Sequence, residues 1–254
     1  MIPYRDENPT IKTPVVTYAI VALNVLVWIL VQGAGTMLPL AKSVCDLGLI
    51  PGELTGRVAA GTLIQMGPRL FCRIAAAHHY ENVLTSMFLH GSWMHIIMNM
   101  WFFWIFGNNI EDSMGRMRFI LFYLLCGTAA AAAQVAMDPG SPVPVVGASG
   151  AISGVMGAYL VLYPRVRVYT LVPLGFFLTT IALPAWVMLG YWIVLQFLGG
   201  LPQLGGAQSN GGVAFWAHIG GFVVGAAAIK LFANPAYLVS RGQSPWAPQR
   251  LKWG

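Results

Sequence analysis

The chain has 254 residues, of which 57% are hydrophobic and only 9% charged, and its mean hydropathy is +0.68. Soluble domains carry about a quarter of charged residues, so this balance excludes an ordinary soluble globule and describes a chain whose main solvent is lipid. The formal charge of +6 is scattered between apolar runs, which is the distribution of membrane-flanking loops and excludes a nucleic-acid footprint.

Residues 1–14 read as a polar, proline-containing tail outside the membrane. The first apolar run, Val15 to Val31, follows that polar stretch and has no small-residue cleavage site, so it reads as a retained span. Residues 34–81 form a long loop with Pro39, Pro51, Pro68 and several charges. Its apolar patches, such as Ala59–Met66, are too short to cross, so a structured loop with interfacial helices is expected. Cys45 and Cys72 lie in this loop and can pair if it faces an oxidising compartment. Cys126 sits in an apolar run and reads as core. The three cysteines match no metal spacing, and neither a metal nor another cofactor is expected.

A second span is expected from about Ser92 to Gly107, followed by a polar loop, Asn108–Arg118, and a third span, Phe119–Met137. Asp138-Pro139-Gly140-Ser141-Pro142 makes a turn-rich connection. The fourth span opens with the small-residue run Gly147-Ala148-Ser149-Gly150-Ala151-Ile152-Ser153-Gly154 and ends at Tyr163. The apolar stretch 168–200 is too long for one crossing at about 20 residues. A separate crossing by residues 168–182 would reverse the last span and turn the C-terminal charges outward. They therefore read as a cytoplasmic-side interfacial or re-entrant segment, and Pro184 starts a fifth span reaching Gly200. Gly205–Gly212 is a polar loop, Val213–Phe232 the last span, and 234–254 a second tail with interface-type Trp246 and Trp253.

Six spans with a cytoplasmic N-terminus place Arg5, Lys12, Arg116, Arg118, Arg165, Arg167, Lys230, Arg241, Arg250 and Lys252 inside. Only Lys42, Arg57, Arg69 and Arg73 fall outside, all in the long first loop where the charge rule carries little weight. The expected fold is therefore all-α, a polytopic membrane protein with six transmembrane helices, both termini cytoplasmic, and a core over 15–233.

Ionisable side chains within spans are costly and mark candidate sites. The expected spans hold His95, with Asn99 one turn on, and His218; His90 lies just before the second span. With these directions the second, fourth and sixth spans all run inward from the outer face. His95 and Asn99, four apart, share a helix face. His218 lies about 8 Å deep at 1.5 Å per residue, and Ser149 sits in the first turn of its helix. One serine, two histidines and one asparagine thus reach the outer third of the bilayer together. A serine needs a base, and attack on a carbonyl needs preorganised donors, for which the Ser149 N–H, His95 and Asn99 are suited. No Asp or Glu lies in the fourth, fifth or sixth span, so such a unit would lack a carboxylate orienter. Each residue also has a plainer reading: Ser149 as helix packing, His95 and Asn99 as interhelical hydrogen bonds, His218 as a satisfied buried histidine. Ser153, one turn after Ser149, is a second candidate nucleophile on the same face.

The motifs Gly147-Ala148-Ser149-Gly150, His95-Ile96-Ile97-Met98-Asn99 and Ala217-His218-Ile219-Gly220-Gly221-Phe222-Val223-Val224-Gly225 resemble GxSG, HxxxN and AHxxGxxxG of the rhomboid family of intramembrane serine proteases. Leu84–Gly91 looks like the stretch that precedes HxxxN in bacterial members, and Glu111 with Gly115 is similar to the family's ExxxG. The resemblance covers residues 11–233. It implies Ser149 as nucleophile, His218 as general base, and an oxyanion hole from His95, Asn99 and the Ser149 N–H. Gly147, Gly150, Gly221 and Gly225 would support the site, the last two by letting the sixth helix approach the fourth, and His90 and Ser153 would flank it. It further implies single-pass membrane proteins as substrates, an inner-membrane location, and an active site open to the extracytoplasmic side. There are two departures. The Trp-Arg pair of many members' first loop is absent, and Ser153 stands where some members place an aromatic against the base. Two other readings are a rhomboid-like pseudoprotease that binds clients without cleaving them, which usually lacks the serine or the histidine, and a transporter, disfavoured by the absence of an intramembrane carboxylate.

Overall fold

The computed structural model describes residues 1–76, 78–174, 177–204 and 213–243. In chain order these form β1 (Ile2–Asp6), α1 (Val15–Leu30), α2 (Met37–Leu47), α3 (Pro51–Leu54), β2 (Leu63–Gly67), β3 (Leu70–Arg73), α4 (Asn82–Thr85), α5 (Trp93–Met114), α6 (Arg116–Met137), α7 (Ser149–Leu162), β4 (Arg167–Leu174), β5 (Phe177–Pro184), α8 (Ala185–Leu204), α9 (Phe215–Phe232) and α10 (Pro235–Gln243). The expected polar loop 205–212, and the tail tryptophans Trp246 and Trp253, lie outside the described residues.

The protein is mostly helical. Among the described residues α6, α8 and α9 are long and apolar enough to cross a membrane; α1 and α7 are apolar but shorter. The central element is α7, in which every residue from Gly150 to Tyr159 is buried. It packs against α5, α6, α8 and α9, so its stretch from Gly150 to Tyr159 is covered by the surrounding helices. Small residues make that possible: Gly150 and Gly154 stand where side chains would strike Ala130 and Cys126 of α6. The core beneath is aromatic, with Phe103, Phe106, Phe119, Phe122, Tyr123 and Tyr159 all at most 1% exposed.

Three segments differ from the sequence expectation. The polar loop expected at 108–118 is mostly helix, because α5 continues to Met114 and α6 begins at Arg116. Its two carboxylates are buried and used, while Arg116 and Arg118 stay exposed. Glu111 accepts hydrogen bonds from the N–H groups of Val16 (3.0 Å) and Thr17 (2.7 Å) and from the Thr17 hydroxyl (2.8 Å). Asp112 accepts from the Ile11 and Lys12 N–H groups. These carboxylates satisfy the first turn of α1 and the chain leading into it, where unpaired donors and the positive end of the helix dipole favour an anion. Gly115, at φ +84°, makes the break between α5 and α6, a conformation that disfavours other residues.

The second departs from the all-α expectation: within the segment 168–182, read as interfacial or re-entrant, β4 and β5 form an antiparallel hairpin. Val168-Tyr169-Thr170-Leu171-Val172 is rich in the β-branched and aromatic residues that fit strands. The third is the N-terminal tail, whose β1 pairs antiparallel with β4, giving sheet order β1-β4-β5. Asp6 anchors this sheet to the helices through the Tyr159 hydroxyl on α7 and the Asn109 amide on α5. The sheet therefore sits at the end of α7 opposite Ser149.

At the Ser149 end, the long loop is structured as expected, though with a hairpin beside its short helices. β2 and β3 pair antiparallel. Cys45 on α2 and Cys72 on β3 are joined in a disulfide.

Candidate active site

Ser149 is the first residue of α7, so its N–H has no partner within the helix. The turn before it is fixed by Gly147, whose N–H donates to the Ser86 carbonyl at 2.9 Å. Gly147 adopts φ +129°, and a Cβ there would lie 2.8 Å from His95 Nε2 and 3.4 Å from Ser149 Oγ. Conformation and space both require glycine. The same geometry shows that the His95 ring and the Ser149 hydroxyl border one small space beside the Gly147 Cα.

His95 enters α5 one turn after its cap, where Ser92 Oγ accepts from the His95 N–H. Its Nδ1 accepts from the Gly91 N–H at 3.2 Å, which places the ring proton on Nε2, the nitrogen next to Gly147. His90 packs edge-on against this ring with centroids 5.1 Å apart. The His90 backbone is itself held by Gln32, which donates to its carbonyl and accepts from its N–H. Asn99 lines the same cavity but donates from Nδ2 to the His95 carbonyl at 2.8 Å. That bond uses one of its two amide hydrogens.

His218 projects from the first turn of α9. Its Nε2 lies 2.8 Å from Ser149 Oγ, and its Nδ1 lies 2.8 Å from Gln196 Oε1 on α8. With Nδ1–H donating to the amide oxygen, the Nε2 lone pair accepts from the serine hydroxyl. The Trp192 ring, one turn before Gln196, lies tilted 39° to the imidazole at 5.8 Å. Ser153, the alternative serine, is fully buried and donates to the Ser149 carbonyl at 2.6 Å. It makes no hydrogen bond to either histidine.

Ser149, His218, His95 and Asn99 thus line one cavity of about 730 Å³, together with α2 side chains Met37, Leu40, Ala41 and Val44. The α7–α9 contact is backbone on backbone. A Cβ at Gly225 would lie 2.0 Å from the Gly154 carbonyl oxygen, and one at Gly221 equally close to that of Gly150.

Sequence reasoning passes over Gln196 and Trp192. A scan for ionisable groups ignores an amide, yet Gln196 and Gln203 are the strongly polar side chains in an otherwise apolar α8, and that contrast was available. It also passes over Gln134 on α6, whose Oε1 accepts from the Ala217 N–H at the start of α9. Among the described residues, no cluster of three or more His, Cys, Asp or Glu side chains is arranged to hold a metal.

The family model described as the Rhomboid domain matches residues 77–235. The rhomboid protease GluP of Bacillus subtilis is 28% identical over 214 residues, covering 84% of this chain and 35% of that protein. RHOMBOID-like protein 6, mitochondrial, of Arabidopsis thaliana is 32% identical over 102 residues, 40% of this chain and 33% of its own length. Rhomboid-like protease 5 of Toxoplasma gondii is 27% identical over 211 residues, 69% of this chain and 22% of its own. The chain spans about a third or less of the length of these relatives. The matched domain contains Ser149, His218, His95 and Asn99, and the apolar helices place the protein in a lipid bilayer. The chain is a multi-pass membrane protein and belongs to the rhomboid family.

Proposed function

We propose that this protein is an intramembrane serine endopeptidase that hydrolyses peptide bonds in or next to the transmembrane segments of single-pass membrane proteins. The observation that carries the reading is the 2.8 Å contact between His218 Nε2 and Ser149 Oγ, at the mouth of a helix N-terminus and inside a cavity shared with His95 and Asn99.

The chemistry follows from those positions. Ser149 Oγ attacks the scissile carbonyl carbon while His218 Nε2 takes its proton. The carbonyl oxygen becomes an oxyanion, for which His95 Nε2–H, the Ser149 N–H and an Asn99 amide hydrogen are the donors. Collapse of the adduct breaks the C–N bond, and the proton on His218 passes to the departing amine. A water molecule, deprotonated by the same nitrogen, then releases the acyl group and restores Ser149. Gly147 keeps the oxyanion space open, Gly150, Gly221 and Gly225 set the helix spacing, and His90 supports the His95 ring.

The reading includes a core over residues 15–233 that crosses the bilayer six times, with tails 1–14 and 234–254 in the cytoplasm. The protein is assigned to the inner membrane, with the cavity open to the extracytoplasmic side. The excess of Arg and Lys in the segments opposite the cavity supports that orientation. So does the Cys45–Cys72 disulfide in the loop beside the cavity, since such bonds persist in oxidising compartments.

The test is cleavage of a single-pass substrate by the full chain reconstituted in liposomes. Ser149→Ala removes the nucleophile and abolishes cleavage with folding retained. Unchanged cleavage would overturn the assignment. A wild-type protein that binds the substrate, never cleaves it and resists fluorophosphonate labelling would be a pseudoprotease.

A further inference from the structure

The His218 ring has two hydrogen-bond partners, and the mechanism above uses only one. The other is Gln196 Oε1, 2.8 Å from Nδ1. We infer that Gln196 is a positioning residue that holds His218 in the tautomer able to accept the Ser149 proton, so that the reacting unit is Ser149–His218–Gln196 and not a two-residue dyad. This deepens the endopeptidase reading and rests on it.

A neutral imidazole carries one N–H, and the hydrogen bond made by one nitrogen decides the state of the other. An acceptor-only oxygen at Nδ1 places the proton there and leaves Nε2 as a lone pair facing Ser149 Oγ at 2.8 Å. Once Nε2 takes the serine proton, the Nδ1–H remains bonded to the amide oxygen, which steadies the cation and its ring orientation. Serine hydrolases commonly give this task to a carboxylate. Here the partner sits on an apolar span, where an ionised carboxylate is costly. An amide supplies the same acceptor without a buried charge.

Ring support comes from the same helix. Ser153 stands one turn into α7 from Ser149 and is hydrogen-bonded to the Ser149 carbonyl, so it presents no flat surface to the base. Trp192, four residues before Gln196 and hence on the same face of α8, lies against His218 at 5.8 Å and against Phe222 at 6.1 Å. One face of α8 thus holds both a ring surface and the Nδ1 hydrogen of the base.

The experiment compares full-length wild type, Gln196→Met, Gln196→Glu and Val194→Ala in proteoliposomes. It reads kcat and KM for a single-pass substrate and the second-order rate of fluorophosphonate labelling. Methionine keeps the length and bulk of glutamine but loses the acceptor. It should lower kcat and the labelling rate about 10- to 100-fold, the scale on which orienting partners act, with KM within about twofold. Glutamate restores the acceptor and should recover most of the rate in alkaline solution. Its acid limb should move to higher pH, because a carboxylate favours the imidazolium. Val194, 54% exposed on the same helix, is a control whose alanine variant keeps wild-type rates. A Met variant that cleaves and labels at wild-type rates overturns the inference. So does a Glu variant that recovers nothing and leaves the acid limb in place. Thermal unfolding reports a packing loss, and if the Met variant melts early the Glu variant decides alone. If wild type neither cleaves nor labels, or Ser149→Ala does both, the endopeptidase reading fails and this inference with it. A wild type that cleaves beside an unimpaired Met variant fails the inference alone.

Discussion

The carbonyl oxygen of Gly150 occupies the position where a side chain on Gly221 would begin: a Cβ there would lie 2.0 Å away. The contact repeats one turn on, between Gly225 and the Gly154 carbonyl, again at 2.0 Å. Ser149 immediately precedes Gly150, and His218 lies three residues before Gly221. The approach of α9 to α7 therefore sets the distance between hydroxyl and imidazole directly. Close approach through small residues is how membrane helices gain packing energy, and here it also fixes the distance between Ser149 Oγ and His218 Nε2.

Gly221→Ala is the corresponding variant. The obstructing atom is backbone, so the helices must separate. Overpacking of this kind costs about 3 kcal/mol, and a shift near 1 Å in a reacting pair costs about 100-fold in rate. The variant should melt earlier than wild type in detergent, and its fluorophosphonate labelling should fall by about two orders of magnitude. Wild-type labelling by Gly221→Ala would show that the Ser149–His218 distance does not depend on this contact.

The two serines of α7 separate cleanly. Ser153 Oγ is fully buried and bonded to the Ser149 carbonyl at 2.6 Å, a local bond to the preceding turn that contributes little to helix stability. Ser153→Ala should therefore keep labelling within about threefold of wild type, since it changes stability by about 1 kcal/mol or less. Ser149→Ala should lose labelling completely. Mass spectrometry of the labelled peptide checks both, with the adduct expected on Ser149.

The residues of the proposed site are legible in the sequence because depth in a bilayer is a one-dimensional quantity. Counting residues from the N-terminal end of each expected span brings Ser149, His95, Asn99 and His218 to similar depths, and the structure gathers them around one cavity. Partners that depend on rotation about a helix axis are not legible in that way. Gln196 lies in a run whose neighbours Val194, Leu195, Phe197 and Leu198 are exposed, and no count of depth says that its side chain turns inward. The segment 108–114 misleads for a different reason. Asn109, Glu111 and Asp112 look like a solvated loop until β1 and the start of α1, about a hundred residues earlier, are placed against them. The sheet is hidden for the same cause. A hairpin over 167–184 is a local possibility, but its third strand is the N-terminal tail, which no periodicity within 168–200 reveals.

Glu111 gives a stability prediction far from the site. Its carboxylate accepts three hydrogen bonds from Val16 and Thr17, and it is 3% exposed. Helix α1 has Pro14 at its cap position and no side-chain cap of its own, so Glu111 acts as the cap from a neighbouring helix. Bonds to an ionised acceptor contribute about 1.5–3 kcal/mol. Glu111→Ala should therefore lower stability by about 3 kcal/mol, read as a lower Tm in detergent. The labelling rate of the protein that remains folded should not change, because Glu111 sits near the other end of α5 from His95. A fall in labelling out of proportion to the folded fraction would assign Glu111 a role in the site.

The disulfide connects the long loop after α1 to the cavity wall. Cys45 follows Val44, and Val44 on α2 lines the cavity with Met66 of the β2–β3 hairpin. Cys72 on β3 is 1% exposed, and the two cysteines are 27 residues apart. Closing a loop of that length restricts the unfolded chain by about 3.5 kcal/mol in the chain-entropy model. Reduction should lower Tm and make residues 46–71 more susceptible to protease. It should raise the number of maleimide-reactive thiols by two, since the remaining cysteine, Cys126, is buried. Labelling at Ser149 should persist, because the Ser149–His218 contact is held by α7 and α9 and not by the loop. The comparison is made on protein purified without reductant, before and after treatment, and on Cys45→Ser. If untreated protein already shows both reactive thiols, the loop does not face an oxidising compartment, and the orientation drawn from the charge distribution fails with it.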